Sequence, residues 1–162
     1  MKKIRIALGS NDEKRIVPSH MGMAEYFYIY DLFEDGKSNF VEKRKNTSPN
    51  EKGKHGIAEK MEACMEIFKD ADVIIGRRIS PNFIKMAAKT KFQPVVIEID
   101  EISEIMEEVV KSFGKIYDLI EQRKTGNIPK EIPKLDSVKR DMKEIWKNMK
   151  ETTEHTEKKI SL

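Results

Sequence analysis

The sequence predicts an α/β fold: a mixed five-stranded sheet covered by helices on both faces, followed by a helical extension at the C-terminus. Three observations carry that expectation. Short apolar runs of strand length give way, after about residue 56, to segments in which the apolar period lengthens to that of a helix. The first three runs follow one another with no helical pattern between them, as antiparallel neighbours do. The last two alternate with helices, as parallel strands joined by crossovers do.

Residues 3–10, KIRIALGS, alternate Ile4, Ile6 and Leu8 against Lys3, Arg5 and Ala7, and the pattern ends at Gly9. In YFYIYDLFE, residues 26–34, Phe27 and Ile29 face one way while Tyr28, Tyr30 and Leu32 face the other. Apolar residues on both faces mark a central strand. After the turn residues Asp35 and Gly36, residues 39–46 (NFVEKRKN) give a charged strand suited to a sheet edge.

Ile57, Met61, Cys64, Met65 and Phe68 then fall at i, i+4, i+7, i+8 and i+11, one stripe of a helix, with Glu59, Glu62 and Glu66 opposite. ADVIIG, residues 71–76, reads as a buried parallel strand. Ser80 and Pro81 supply an N-cap and a first-turn proline for the helix NFIKMAAKTK, and PVVIEID, residues 94–100, is the fifth strand. A sheet of this kind places its ligand site at the carboxyl ends of the parallel strands.

The apolar stripe from Ile102 through Ile105, Val109, Phe113 and Ile116 to Ile120 predicts one helix, stopped before Gly126. NIPKEIPK cannot continue it. A second helix from about Asp136 carries Val138, Met142, Ile145 and Met149, with Trp146 beside the stripe, and the polar tail after Glu151 frays. Residues 1–115 therefore read as the α/β domain and 116–162 as a helical extension, which either covers the core or pairs with a second copy of the chain.

Charged residues make up 36% of the chain, yet the formal net charge is only +3. A dedicated nucleic-acid binder concentrates far more positive charge, so no nucleic-acid partner is expected. The single cysteine, Cys64, excludes an intramolecular disulfide and fits a reducing compartment. The apolar run at the N-terminus is broken by Arg5 and Gly9, unlike a signal peptide, and no stretch approaches the length that spans a bilayer. The protein is expected in the cytoplasm, without a membrane partner.

Several residues are candidates for chemistry. His20 sits in the turn of PSHMGMAEYFYIYD, where it serves either as a polar turn residue or as a ligand. Cys64 is a candidate soft metal ligand, although a cysteine on an apolar helical stripe also serves as a small hydrophobe. Arg77 and Arg78 stand between a strand and the Ser-Pro helix start, where guanidinium and backbone N–H groups can converge on one anion; two solvated arginines are the other reading. His55 and His155 have no role by position. Asp12, Asp31, Asp72 and Asp100 end or flank strands; a two-metal nuclease would need them clustered, while ordinary turns and caps would not. The chain has no P-loop, GxGxxG, HExxH or CxxC and no nucleophile motif, so one chain cannot close a zinc or cluster cage, and a metal-dependent nuclease is a minority reading.

The passage H-M-G-M-A-E-Y-F-Y-I-Y-D, beginning at His20, resembles the H-F-G-x-A-x-x-F-x-I-Y/F-D passage of the dinitrogenase iron-molybdenum cofactor biosynthesis family, of the NifX and NifB C-terminal type. The opening strand, the D-V-I-I-G strand and the closing P-V-V strand agree in order, over roughly residues 1–110. The resemblance implies a ribonuclease H-like fold without nuclease activity, and a non-catalytic role in binding or carrying an iron-sulfur or iron-molybdenum type cluster or its anionic precursor. It implies His20 as the ligand and Gly22 as the point of close backbone approach, with cluster donor or acceptor proteins as partners. Met21 stands where the family has Phe, and GRRISP replaces its glycine-rich turn, so Arg77 and Arg78 become the charge partners of an anion. The competing function is a metal-free regulatory module working through the C-terminal helices, with a homodimer as one form of it.

Overall fold

The computed structural model describes residues 1–50, 58–135 and 145–153 in full and the backbone of residues 53–57. The strands are β1 (Lys3–Ser10), β2 (Tyr26–Phe33), β3 (Ser38–Lys45), β4 (Val73–Gly76), β5 (Gln93–Ile97) and β6 (Lys134–Leu135). The helices are α1 (Gly53–Ile67), α2 (Pro81–Lys89), α3 (Ile102–Lys111) and α4 (Phe113–Lys124), and residues 145–153 are also helical. The strands form one mixed sheet in the order β3-β2-β1-β4-β5-β6, antiparallel from β1 to β3 and parallel from β1 through β4 and β5 to β6. The α/β fold expected from the sequence is therefore present.

Each face of the sheet buries its own side chains. Ile4, Ile6 and Leu8 of β1 meet Val73, Ile75, Val95 and Ile97, and α3 and α4 close this face with Ile105, Val109, Ile116 and Ile120. Ala7, Phe27, Ile29 and Ile74 look the other way, where Cys64 and Phe68 from the α1 side and Phe83 and Met86 of α2 cover them. At about 25 cal/mol per Å² of apolar area removed from water, these two layers dominate the folding free energy. Strand β3 is exposed along nearly its whole length, as an edge strand rich in Lys and Arg should be.

Two expectations are corrected. The sheet has six strands, not five: Ile97 pairs with Leu135, and Val96 N–H donates to Pro133 O at 2.9 Å. The prolines that exclude a helix from NIPKEIPK also hold its backbone extended, and an extended chain beside β5 completes a ladder. The single helix expected over 102–120 is two, because Ser112 (φ −110°, ψ 17°) leaves the helical region and its N–H turns back to Val109 O at 3.0 Å. Serine followed by Gly114 is a weak helix-forming stretch. Both helices still bury their stripes in the same layer, so the core continues past residue 115. Of the C-terminal helix expected from Asp136, residues 136–144 lie outside the described residues, as does His155; Ile145, Trp146 and Met149 are exposed.

Ion pairs join β1, β2 and β3 to the turn that follows α1. Arg5 stands opposite Asp31 in the β1/β2 register and donates from Nε to Asp31 Oδ1 at 2.8 Å, and from Nη1 to Asp70 Oδ2 at 2.9 Å. Arg44 of β3 reaches the same Asp70 carboxylate, Nη2 to Oδ2 at 2.9 Å. Hydrogen bonds from Arg5 hold the Asp31 carboxyl below its ordinary value of 3.8, and those from Arg44 and Arg5 hold Asp70 well below it. A carboxyl depressed in the folded state contributes stability that is present above the ordinary value and lost as pH falls through the folded one. Stability should therefore decline below about pH 4. In denaturant titrations Asp31→Asn should cost about 2 kcal/mol at pH 7 and lessen that acid-side decline.

Candidate functional site

At the carboxyl end of β1 the chain makes a close contact with itself. A Cβ on Gly9 would stand 2.7 Å from Ala24 Cβ and 2.9 Å from Met21 O, so only glycine lets the short 3-10 turn Met21–Met23 lie across the strand. His20 precedes that turn with extended backbone, and its carbonyl accepts from Met23 N–H at 2.9 Å. Asn46, just past β3, holds the turn from the other side: its Nδ2 donates to Gly22 O and to Ala24 O, both at 2.8 Å.

Between this turn, α1 and the start of α2 lies a cavity of about 360 Å³. His20, exposed, and Cys64, buried, both line it. Gly22 lies between turn and helix: a Cβ there would sit 3.4 Å from Lys60 Cε and 3.7 Å from Cys64 Sγ, so its missing side chain is space in the cavity. On the far wall Ser80 caps α2 by accepting from Phe83 N–H at 3.1 Å, and Gly76 makes room for the Phe83 ring, which a Cβ would approach to 2.7 Å. Four of the nine methionines, Met21, Met23, Met61 and Met86, complete a lining of thioether, thiol and imidazole groups. These are donors that soft and borderline transition metals accept.

The cavity brings together His20, Gly22 and Cys64 but not Arg77 and Arg78. The two arginines line a separate cavity of about 370 Å³ with Glu98 and Lys134, beside the ends of β5 and β6. Arg77 turns there because Asp100, following β5, takes its guanidinium as an ion pair. The anion site in which both arginines and the first turn of α2 converge is thus divided: the helix start faces His20, and the arginines face away from it. The four aspartates are also divided. Asp31 and Asp72 bond Arg5 at the amino edge, while Asp12 and Asp100 lie at the opposite edge. Among the described residues no three His, Cys, Asp or Glu side chains group as a metal site. The side chain of His55 is not among those described.

Lys60 and Asn46 belong to the site without any sequence motif that marks them. Lys60 could have been found, since it lies four residues before Cys64 and so on the same side of α1. Asn46 could not, because its partners are carbonyls more than twenty residues away in the chain.

A family model described as dinitrogenase iron-molybdenum cofactor matches residues 2–112. The chain belongs to that family. No curated protein matches the chain. The dinitrogenase iron-molybdenum cofactor family is concerned with the biosynthesis or binding of that cofactor. The match takes in the turn at His20, Gly22, Cys64 and both arginines, whereas α4 and β6, which finish one face of the core, follow its end. No helix among the described residues is long and apolar enough to cross a membrane.

Gly9→Ala should lower stability by about 1–3 kcal/mol, the cost of an overpacked contact. Because the strain falls on Met21 and Ala24, the variant should also shift the His20 imidazole resonances in two-dimensional NMR while those of Met106, on the far face, stay in place.

Proposed function

We propose that this protein is a non-catalytic carrier that holds an iron-sulfur or iron-molybdenum type cluster, or its precursor, in the cavity bounded by His20 and Cys64. The observation that carries this reading is the meeting of an imidazole, a thiol and a side-chain-free glycine in one cavity at the carboxyl edge of the sheet. Imidazole nitrogen and sulfur are donors that iron accepts. Membership in the iron-molybdenum cofactor family supports the same cargo.

The donor set fits a cargo better than a resident cofactor. His20 and Cys64 are joined by no third His, Cys, Asp or Glu among the described residues, so this chain leaves most of a cluster's coordination shell to others. The remaining ligands come from sulfide, from the thioethers, from a second copy of the chain, or from a donor or acceptor protein. An incomplete shell lets a carrier hand over what it holds, since fewer bonds break on transfer. The single thiol fits a reducing compartment such as the cytoplasm.

Reconstitution of the purified protein with iron and sulfide under anaerobic conditions tests this. The wild type should bind stoichiometric iron with a visible sulfide-to-iron absorption. His20→Ala should lose most of that iron, and Cys64→Ser should lower it and shift the absorption. A wild type that binds no iron, or a His20→Ala variant that binds as much, would overturn the assignment.

A further inference from the structure

Lys60 is buried, only 7% exposed, at the wall of the His20 cavity. Its Nζ donates to Ser48 Oγ at 3.1 Å and to Pro49 O at 3.2 Å, both neutral acceptors. An ammonium has three donors, so one is left over, and a cation held this far from water is costly unless an opposite charge answers it. None does among the described residues.

The rest of the cavity has the same sign. Lys85 stands on its rim, the first turn of α2 presents the positive end of the helix dipole, and no aspartate or glutamate lines it among the described residues. An open cavity lined only by neutral and cationic groups attracts anions and repels bare metal cations.

We propose that the cavity selects its cargo by charge, admitting anionic metal–sulfur species or oxyanions, and that Lys60 is the group that pairs with them. The proposal rests on the carrier reading and adds the residue that recognises the cargo. It also joins recognition to the turn that holds His20. Ser48 Oγ, which accepts from Lys60, donates to Asn46 Oδ1 at 2.6 Å, and Asn46 in turn holds the carbonyls of Gly22 and Ala24. An anion paired with Lys60 therefore bears on the chain of hydrogen bonds that positions the imidazole.

Two tetrahedral dianions, tetrathiomolybdate and molybdate, separate the terms, since they share charge and shape and differ in a sulfur or oxygen surface. Calorimetric titration of the full chain should show binding of tetrathiomolybdate, weakened by salt. Lys60→Met, similar in length and uncharged, should lose at least about tenfold in affinity, and Lys60→Arg should keep most of it. Binding of molybdate as well would assign the selection to charge alone, whereas binding of tetrathiomolybdate alone would assign it to charge with a sulfur surface. Binding of molybdate alone would assign the cavity to oxyanions. Each of these supports the proposal if Lys60→Met weakens that binding by at least about tenfold. A Lys60→Met protein that melts cooperatively and binds as the wild type does would overturn the role of Lys60, and uptake of iron and sulfide by that variant would leave the carrier reading intact. A wild type that binds neither dianion would overturn charge selection; if it also takes up no iron, the carrier reading falls with it.

Discussion

The seating of the Met21–Met23 turn on Gly9 is the contact on which the site depends. Chain leaving β1 at Ser10 must loop out and return to begin β2 at Tyr26, antiparallel and in register. Where it returns, Met21 and Ala24 become buried against the sheet at 6% and 3% exposure, and His20 is left outside at the edge. A side chain on Gly9 would lift this turn and open the wall between His20 and α1. The glycines at 22 and 76 work alongside it in other ways: Gly22 leaves space in the cavity beside Cys64, and Gly76 lets the Phe83 ring of the far wall lie directly on β4.

The two edges of the sheet treat charge differently. Near the start of β1, Arg5, Asp31 and Asp70 answer one another, and Arg44 of β3 reaches the same Asp70. Arg123, buried without a carboxylate, donates to Gln93 Oε1 and to the carbonyls of Ala87, Thr90 and Pro129, each at 2.9 Å. Those bonds tie the ends of α2 and α4 and the loop leading to β6 into one unit, with the cation near the negative end of α2. Lys60 has only two neutral partners and a cavity beside it. Among the described residues, Arg5, Arg44 and Arg123 are each met by several acceptors, whereas Lys60, buried at the cavity wall, keeps a donor without one.

Much of this was legible in the sequence because it depends on local periodicity. The alternation in KIRIALGS, the two apolar faces of YFYIYDLF, the stripe through Cys64 and the Ser80–Pro81 helix start each report a nearby backbone geometry, and each lies where the periodicity places it. That His20 and Cys64 line one cavity was not legible, since it needs the turn folded over Gly9 and α1 laid across Phe27 and Ile29. Arg77 and Arg78 show the limit most clearly. Their neighbours in the chain suggest a shared anion with α2, but a carboxylate that follows the next strand, Asp100, draws Arg77 elsewhere. The break at Ser112 was hidden for the opposite reason: the apolar stripe runs through it, because both helices face the same layer.

The methionines report where the cluster sits. In the protein reconstituted with a paramagnetic iron cluster and labelled at the methionine methyls, the resonances of Met21, Met23, Met61 and Met86 should broaden or vanish. Met106, which packs on the opposite face of the sheet, should remain sharp. Loss of the Met106 signal with the four cavity methyls unchanged would place the cluster elsewhere in the protein.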